Sequence, residues 1–113
     1  MKIASIQQDL EFNPDKPAVT LLMETDASKE LRIAMLKNQV MKEHKTPFPI
    51  TVEICQGEVD FGVAGNVHRC KKGDLLALEG NVPHDLVALS DTVIRLSLSK
   101  KDTVSRVKGV SEM

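Results

Sequence analysis

Apolar and polar residues alternate in this chain with a period of two, in short runs cut by turn residues. That pattern excludes a helical core, because only a strand sends successive side chains to opposite faces. Ile50, Val52 and Ile54 share one side of a run whose other side carries Thr51 and Glu53. After Gln56-Gly57, Val59, Phe61 and Val63 continue the apolar face against Glu58, Asp60 and Gly62. The two runs predict a β-hairpin with a tight turn at Gly57. Further strands are predicted over Ala18–Met23, Glu30–Leu36, Val67–Cys70, Leu75–Leu78, Asp85–Leu89 and Thr92–Leu98. Turn chemistry separates them at Glu24–Ser28, Ala64-Gly65-Asn66, Lys71–Asp74, Glu79–Pro83 and Ser90-Asp91. Short strands spaced in this way predict an all-β sandwich or closed barrel.

At 113 residues the chain is read as a single domain, 1–113. The turn-like Phe12–Pro17 sets off an N-terminal arm, 1–17, from a barrel over about 18–99. Such an arm is expected to pair with a sheet edge or to exchange with a partner. The tail, 100–113, is expected to form one helical turn or to fray. With three Phe and neither Tyr nor Trp, the core must be aliphatic, which favours an internal cavity or a covering partner chain.

The net charge is −1, and no basic stripe interleaves with aromatic residues, so no nucleic-acid partner is expected. Lys100, Lys101, Arg106 and Lys108 read as a solvated terminal segment. No run reaches the roughly 18 apolar residues of a membrane span, and Met1–Leu10 does not read as an export signal. The expected location is the cytoplasm, with Cys55 and Cys70 as free thiols. No Ser-His-Asp arrangement with elbow glycines and no phosphate-cradling glycine loop occurs.

Two histidines, His44 and His84, stand in separate spaced motifs. The first is Asn38-x5-His44-x-Thr46-x3-Ile50-x6-Gly57, the second Gly73-x5-Glu79-x-Asn81-x2-His84-x3-Ala88. These spacings resemble the paired motifs of the cupin superfamily, over roughly Leu31–Leu98. His44, Gly57, Gly73 and His84 match the family pattern, and Pro83 before the second histidine is typical of it. Departures fall at Asn38 and Asn81, where the pattern has glycine, and at Thr46, Ile50, Glu79 and Ala88. The resemblance implies a double-stranded β-helix, a jelly-roll barrel of two antiparallel sheets with an open mouth. It also implies a homodimer formed by sheet pairing and arm exchange.

In cupins the motif histidines point inward and hold a divalent metal, with three histidines and a glutamate as the usual set. Here Thr46 and Ile50 occupy the places of the second histidine and the glutamate. The resemblance therefore implies a reduced two-histidine site on His44 and His84. A divalent transition metal there (zinc, nickel, iron, manganese or copper) is expected to be weakly held or absent. His68 and Glu79 are the candidates for a recruited third ligand. Glu43 and Asp85 neighbour the motif histidines, so strand alternation aims them at the opposite face. Around the site, Met41, Thr46, Phe48, Ile50, Val52, Phe61 and Leu86 are candidate pocket residues, with Met35 beside them. The two prolines of Lys45-Thr46-Pro47-Phe48-Pro49 stiffen the loop that carries Phe48. The expected role is a small-molecule binding module. A metal-dependent oxygenase or isomerase, and a structural or interaction protein, are the alternatives.

Overall fold

The computed structural model describes all 113 residues. Nine strands precede a single helix. They are β1 (Ala18–Glu24), β2 (Ser28–Met35), β3 (Val40–His44), β4 (Ile50–Gln56) and β5 (Glu58–Val63). β6 (Asn66–Lys71), β7 (Leu75–Leu78), β8 (His84–Ala88), β9 (Thr92–Ser99) and α1 (Val104–Ser111) complete the order. A five-stranded sheet, β1-β2-β9-β4-β7, faces a four-stranded sheet, β3-β8-β5-β6. Neighbouring strands are antiparallel throughout. This is the all-β class that the alternation predicts and the jelly-roll barrel that the resemblance implies.

Register carries the alternation across each sheet. Leu31, Ile33 and Ala34 of β2 stand opposite Leu96, Ile94 and Val93 of β9. Ile50, Val52 and Ile54 of β4 stand opposite Leu98, Leu96 and Ile94 on the other side of β9. Across the gap, Met41, Val59, Phe61, Leu86 and Ala88 close the core from the four-stranded sheet. Burial of each larger apolar side chain contributes about 1.5–3 kcal/mol. A one-residue slip would turn a whole inner face to solvent, so the pairing is strongly specified.

The turns follow the motif glycines. Gly57 has φ +84°, and a Cβ there would stand 2.5 Å from the Asp91 carbonyl oxygen and from Thr92 Oγ1. Asn38 and Asn81, which depart from the family glycines, have φ of +76° and +65°. Asparagine enters the left-handed region more readily than other side-chain-bearing residues, so both departures keep the backbone conformation.

Three expectations need correction. β3 is absent from the predicted strands: its pairing with β8 shifts register between Met41 and His44, which breaks the alternation. Of the two expectations for the arm, edge pairing within the chain is the one overturned: the arm forms no strand at a sheet edge. It lies over its own sheet, where the buried Arg32 guanidinium donates from Nη1 to the carbonyls of Ile6 and Gln8, both at 2.9 Å. The tail does not fray, and its helix is longer than the single turn expected: the eight-residue α1, capped by Thr103, whose Oγ1 accepts from the Arg106 amide. Val107 and Val110 of α1 are buried, and the helix packs on β1 and β3. Those strands are edges of opposite sheets, so α1 bridges the sandwich at one end. Cys55 and Cys70 are free thiols, on β4 and β6 of opposite sheets.

Candidate functional site

β3 and β8 run side by side and pair His44 with His84. Their rings meet edge-on, with centroids 4.2 Å apart and planes at 62°. Phe61, from the adjacent β5, stacks on the His84 ring at 5.6 Å and 8°. His84 is 4% exposed and His44 partly buried. Each ring is oriented by the carbonyl two residues before it: His44 Nδ1 lies 2.7 Å from the Lys42 carbonyl oxygen. His84 Nδ1 lies 2.9 Å from that of Val82. A carbonyl oxygen only accepts, so both Nδ1 atoms carry the proton and both neutral rings present Nε2 as a lone pair.

Burial is the main force holding both imidazoles below the ordinary histidine pKa, and the Arg106 charge acts in the same direction. The carbonyl bonds and Asp85 oppose it without reversing it. The rings are therefore neutral at pH 7, since the ordinary value is about 6.5. Asp85 and Glu43 flank a groove on the outside of the four-stranded sheet, the face that strand alternation assigns them.

The two rings border a mostly apolar internal cavity of about 30 Å³, enough for a water or two. Of the expected pocket residues, Met41, Thr46, Ile50, Val52, Phe61 and Leu86 line it. Phe48 does not, and neither does Met35, which is fully buried in the core. Phe48 instead sits half-buried in the 45–49 loop, whose Pro47 carbonyl closely approaches Gly80 of the facing loop.

Ile33, Ile94, Leu96, Arg106 and Val107 are lining residues the sequence reading does not name. The first three follow from the alternation of β2 and β9. Arg106 and Val107 come from α1, and their signal is Thr103 as a cap followed by valines at 104, 107 and 110. Arg106 is thus no free member of a solvated basic tail. Its Nε and Nη2 donate to Asp102 Oδ1 and Oδ2 at 2.7 and 2.9 Å.

Asp102 fastens α1 to the mouth. Its Oδ2 also accepts from Thr46 Oγ1 at 2.8 Å, and its Oδ1 accepts from the Thr103 amide at 2.8 Å. Burial alone would raise the Asp102 pKa. The bonds from Arg106, Thr46 and Thr103 outweigh that and hold it below the usual carboxylate value. Thr46, in the place of a family metal ligand, spends its hydroxyl proton on this carboxylate.

The donor set does not match a tightly held metal. No group of three or more His, Cys, Asp or Glu side chains converges anywhere in the molecule. His68 and Glu79, the candidates for a third ligand, are exposed and stand apart from the cavity lining. Ile50 is buried between Leu78 and Leu98 and offers no electron pair.

Two antiparallel sheets, with the motif histidines on facing positions of adjacent strands, define a cupin barrel. The chain belongs to the AraC-like ligand binding domain family, whose model matches residues 27–98. No curated protein matches its sequence. Solved structures share the fold. An RmlC-like cupin protein from Desulfovibrio desulfuricans is 19% identical with a TM-score of 0.80, covering 88% of this chain and 96% of that one. A conserved protein with a double-stranded β-helix domain from Klebsiella pneumoniae is 20% identical at a TM-score of 0.76, covering 88% and 89%. KdgF from Halomonas sp. is 18% identical at 0.74, covering 90% and 97%. No helix is long and apolar enough to cross a membrane.

Proposed function

We propose that this ligand-binding domain is a small-molecule binding module whose polar anchor is the His44–His84 pair. The observation that carries the reading is the commitment of both Nδ1 protons to backbone carbonyls. It leaves two imidazole lone pairs at a cavity whose other lining is mostly aliphatic. A ligand that donates a hydrogen bond and buries an apolar body complements that arrangement.

A weakly bound divalent transition metal is the second reading. Metal-bound histidines usually donate their other ring N–H to a carbonyl or carboxylate, and both rings here do so. With two protein ligands such an ion would exchange readily. Exposed apolar side chains on edge strands, Val67 of β6 and Leu75 of β7, support a homodimer by sheet pairing as part of the same proposal.

Thermal denaturation with zinc, nickel and a panel of small hydroxylated ligands tests the reading. A binder raises the melting temperature of the parent, and the His44→Ala/His84→Ala variant loses that rise. An equal response in parent and double variant removes the histidines from the function.

A further inference from the structure

We propose that the pocket takes a small carboxylate and that Arg106 recognises its anionic group; this rests on the binding reading above. Arg106 is the one charged residue lining the cavity. Its counter-charge, Asp102, is 3% exposed and stands outside the lining. Asp102 is saturated: its two oxygens take Thr46, the Thr103 amide and two nitrogens of Arg106. It grips the guanidinium along the Nε–Nη2 edge, and Nη1 makes no hydrogen bond within the protein. A guanidinium has five N–H donors in a planar fork and binds carboxylates on more than one edge.

The other polar lining groups complete the selection. Thr46 donates its hydroxyl hydrogen bond to Asp102 and accepts one from the Phe48 amide. His44 and His84 present lone pairs. The cavity therefore offers cationic donors from α1 and neutral acceptors from β3 and β8, with aliphatic wall between them. The matching molecule carries a carboxylate and, close to it, a hydroxyl that donates: a 2-hydroxycarboxylate of few carbons. An amine would meet the guanidinium charge, and a neutral polyol would leave Nη1 without an anion. At about 30 Å³ the cavity is of water size, so entry moves α1 outward with Arg106 on it. The polar hold of the helix on the opposite loop is the Thr46–Asp102 bond; Lys29 on the Asp102 carbonyl and Lys16 on the C-cap Glu112 add polar holds elsewhere along its seat.

The test is an amide chemical-shift titration of the full chain, in the presence of a chelator, with lactate, propionate and lactamide. Lactate is expected to bind about tenfold or more tightly than lactamide, as a charge-assisted pair should, with propionate between them. Shifts should fall on β3, β8 and α1. Arg106→Gln should abolish the preference of acid over amide, and Arg106→Lys should restore part of it. Lactamide binding as tightly as lactate overturns the proposal while leaving the pocket reading in place. That comparison needs only the unaltered protein, so it decides the matter even where Arg106→Gln loosens α1. Failure of lactate to bind also overturns it, and the zinc and hydroxylated-ligand melts above then decide the pocket reading separately.

Discussion

Two polar clusters share the mouth of this barrel and survive burial by opposite means. His44 and His84 lose their charge: burial drives them neutral, and a carbonyl takes the one proton each keeps. Asp102 keeps its charge and surrounds it with Arg106, Thr46 and the cap of α1. The first arrangement leaves lone pairs free for a ligand. The second completes the carboxylate's bonds, leaves the Nη1 side of Arg106 free, and closes the end of the sandwich. Neighbouring polar groups thus differ according to whether their hydrogen bonds are complete.

Removing the fastening should have the largest effect. Asp102→Ala leaves the Arg106 charge, the Thr46 hydroxyl and the Thr103 amide without their acceptor. Breaking a buried ion pair from one side costs about 3–5 kcal/mol; the partial exposure of Arg106, whose side chain is 25% exposed, places the loss near the lower end. Urea unfolding reads it directly, and a shift below about 1 kcal/mol would reduce Asp102 to the rank of a surface ion pair.

A smaller loss is expected for Thr46→Val, which keeps the shape and deletes the hydrogen bond to the Asp102 carboxylate, worth about 1.5–3 kcal/mol, along with the longer one from the Phe48 amide. Its signature is local. Amide exchange should quicken in α1 and stay unchanged in β4 and β9, and uniform quickening would contradict the role of Thr46 as the polar link to the helix.

The pH dependence separates the clusters with the smallest effect. The folded pKa of each histidine lies below its unfolded value near 6.5. Between the two values the unfolded chain binds more protons, so stability is full above about pH 6.5 and declines as pH falls below it. Asp102 also has a depressed pKa, but its contribution persists until pH falls below the unfolded carboxyl value of about 3.9. Unfolding midpoints between pH 7.5 and 5.5 therefore isolate the histidines. His44→Gln/His84→Gln should flatten that slope, and a slope equal to the parent's would place the titrating groups elsewhere.

The same division explains what was legible in the sequence. Strands whose inner faces are continuous, such as Ile50–Ile54 and Val59–Val63, announce themselves by period, and Gly57 and Gly73 mark their turns. The motif spacing brings His44 to His84 because it counts residues along strands of fixed rise. β3 escapes because Met41 is its one buried apolar residue and a register shift follows it. α1 escapes for a different reason: eight residues with three valines and Gly109 carry little helix propensity. It is held instead by tertiary burial and by a carboxylate that bonds a threonine 56 positions away. Local pattern does not encode such a contact, so Arg106 reads as a solvated charge until the chain is folded.

His44 and His84 stand neutral, each with Nε2 unprotonated. Long-range proton–nitrogen correlation on histidine-labelled protein at pH 7, with a chelator present, measures this in the unaltered molecule. Protonated Nδ1 and bare Nε2 are expected on both rings, with titration midpoints below about 6.5. Rings protonated at Nε2, or charged at pH 7, would contradict that assignment.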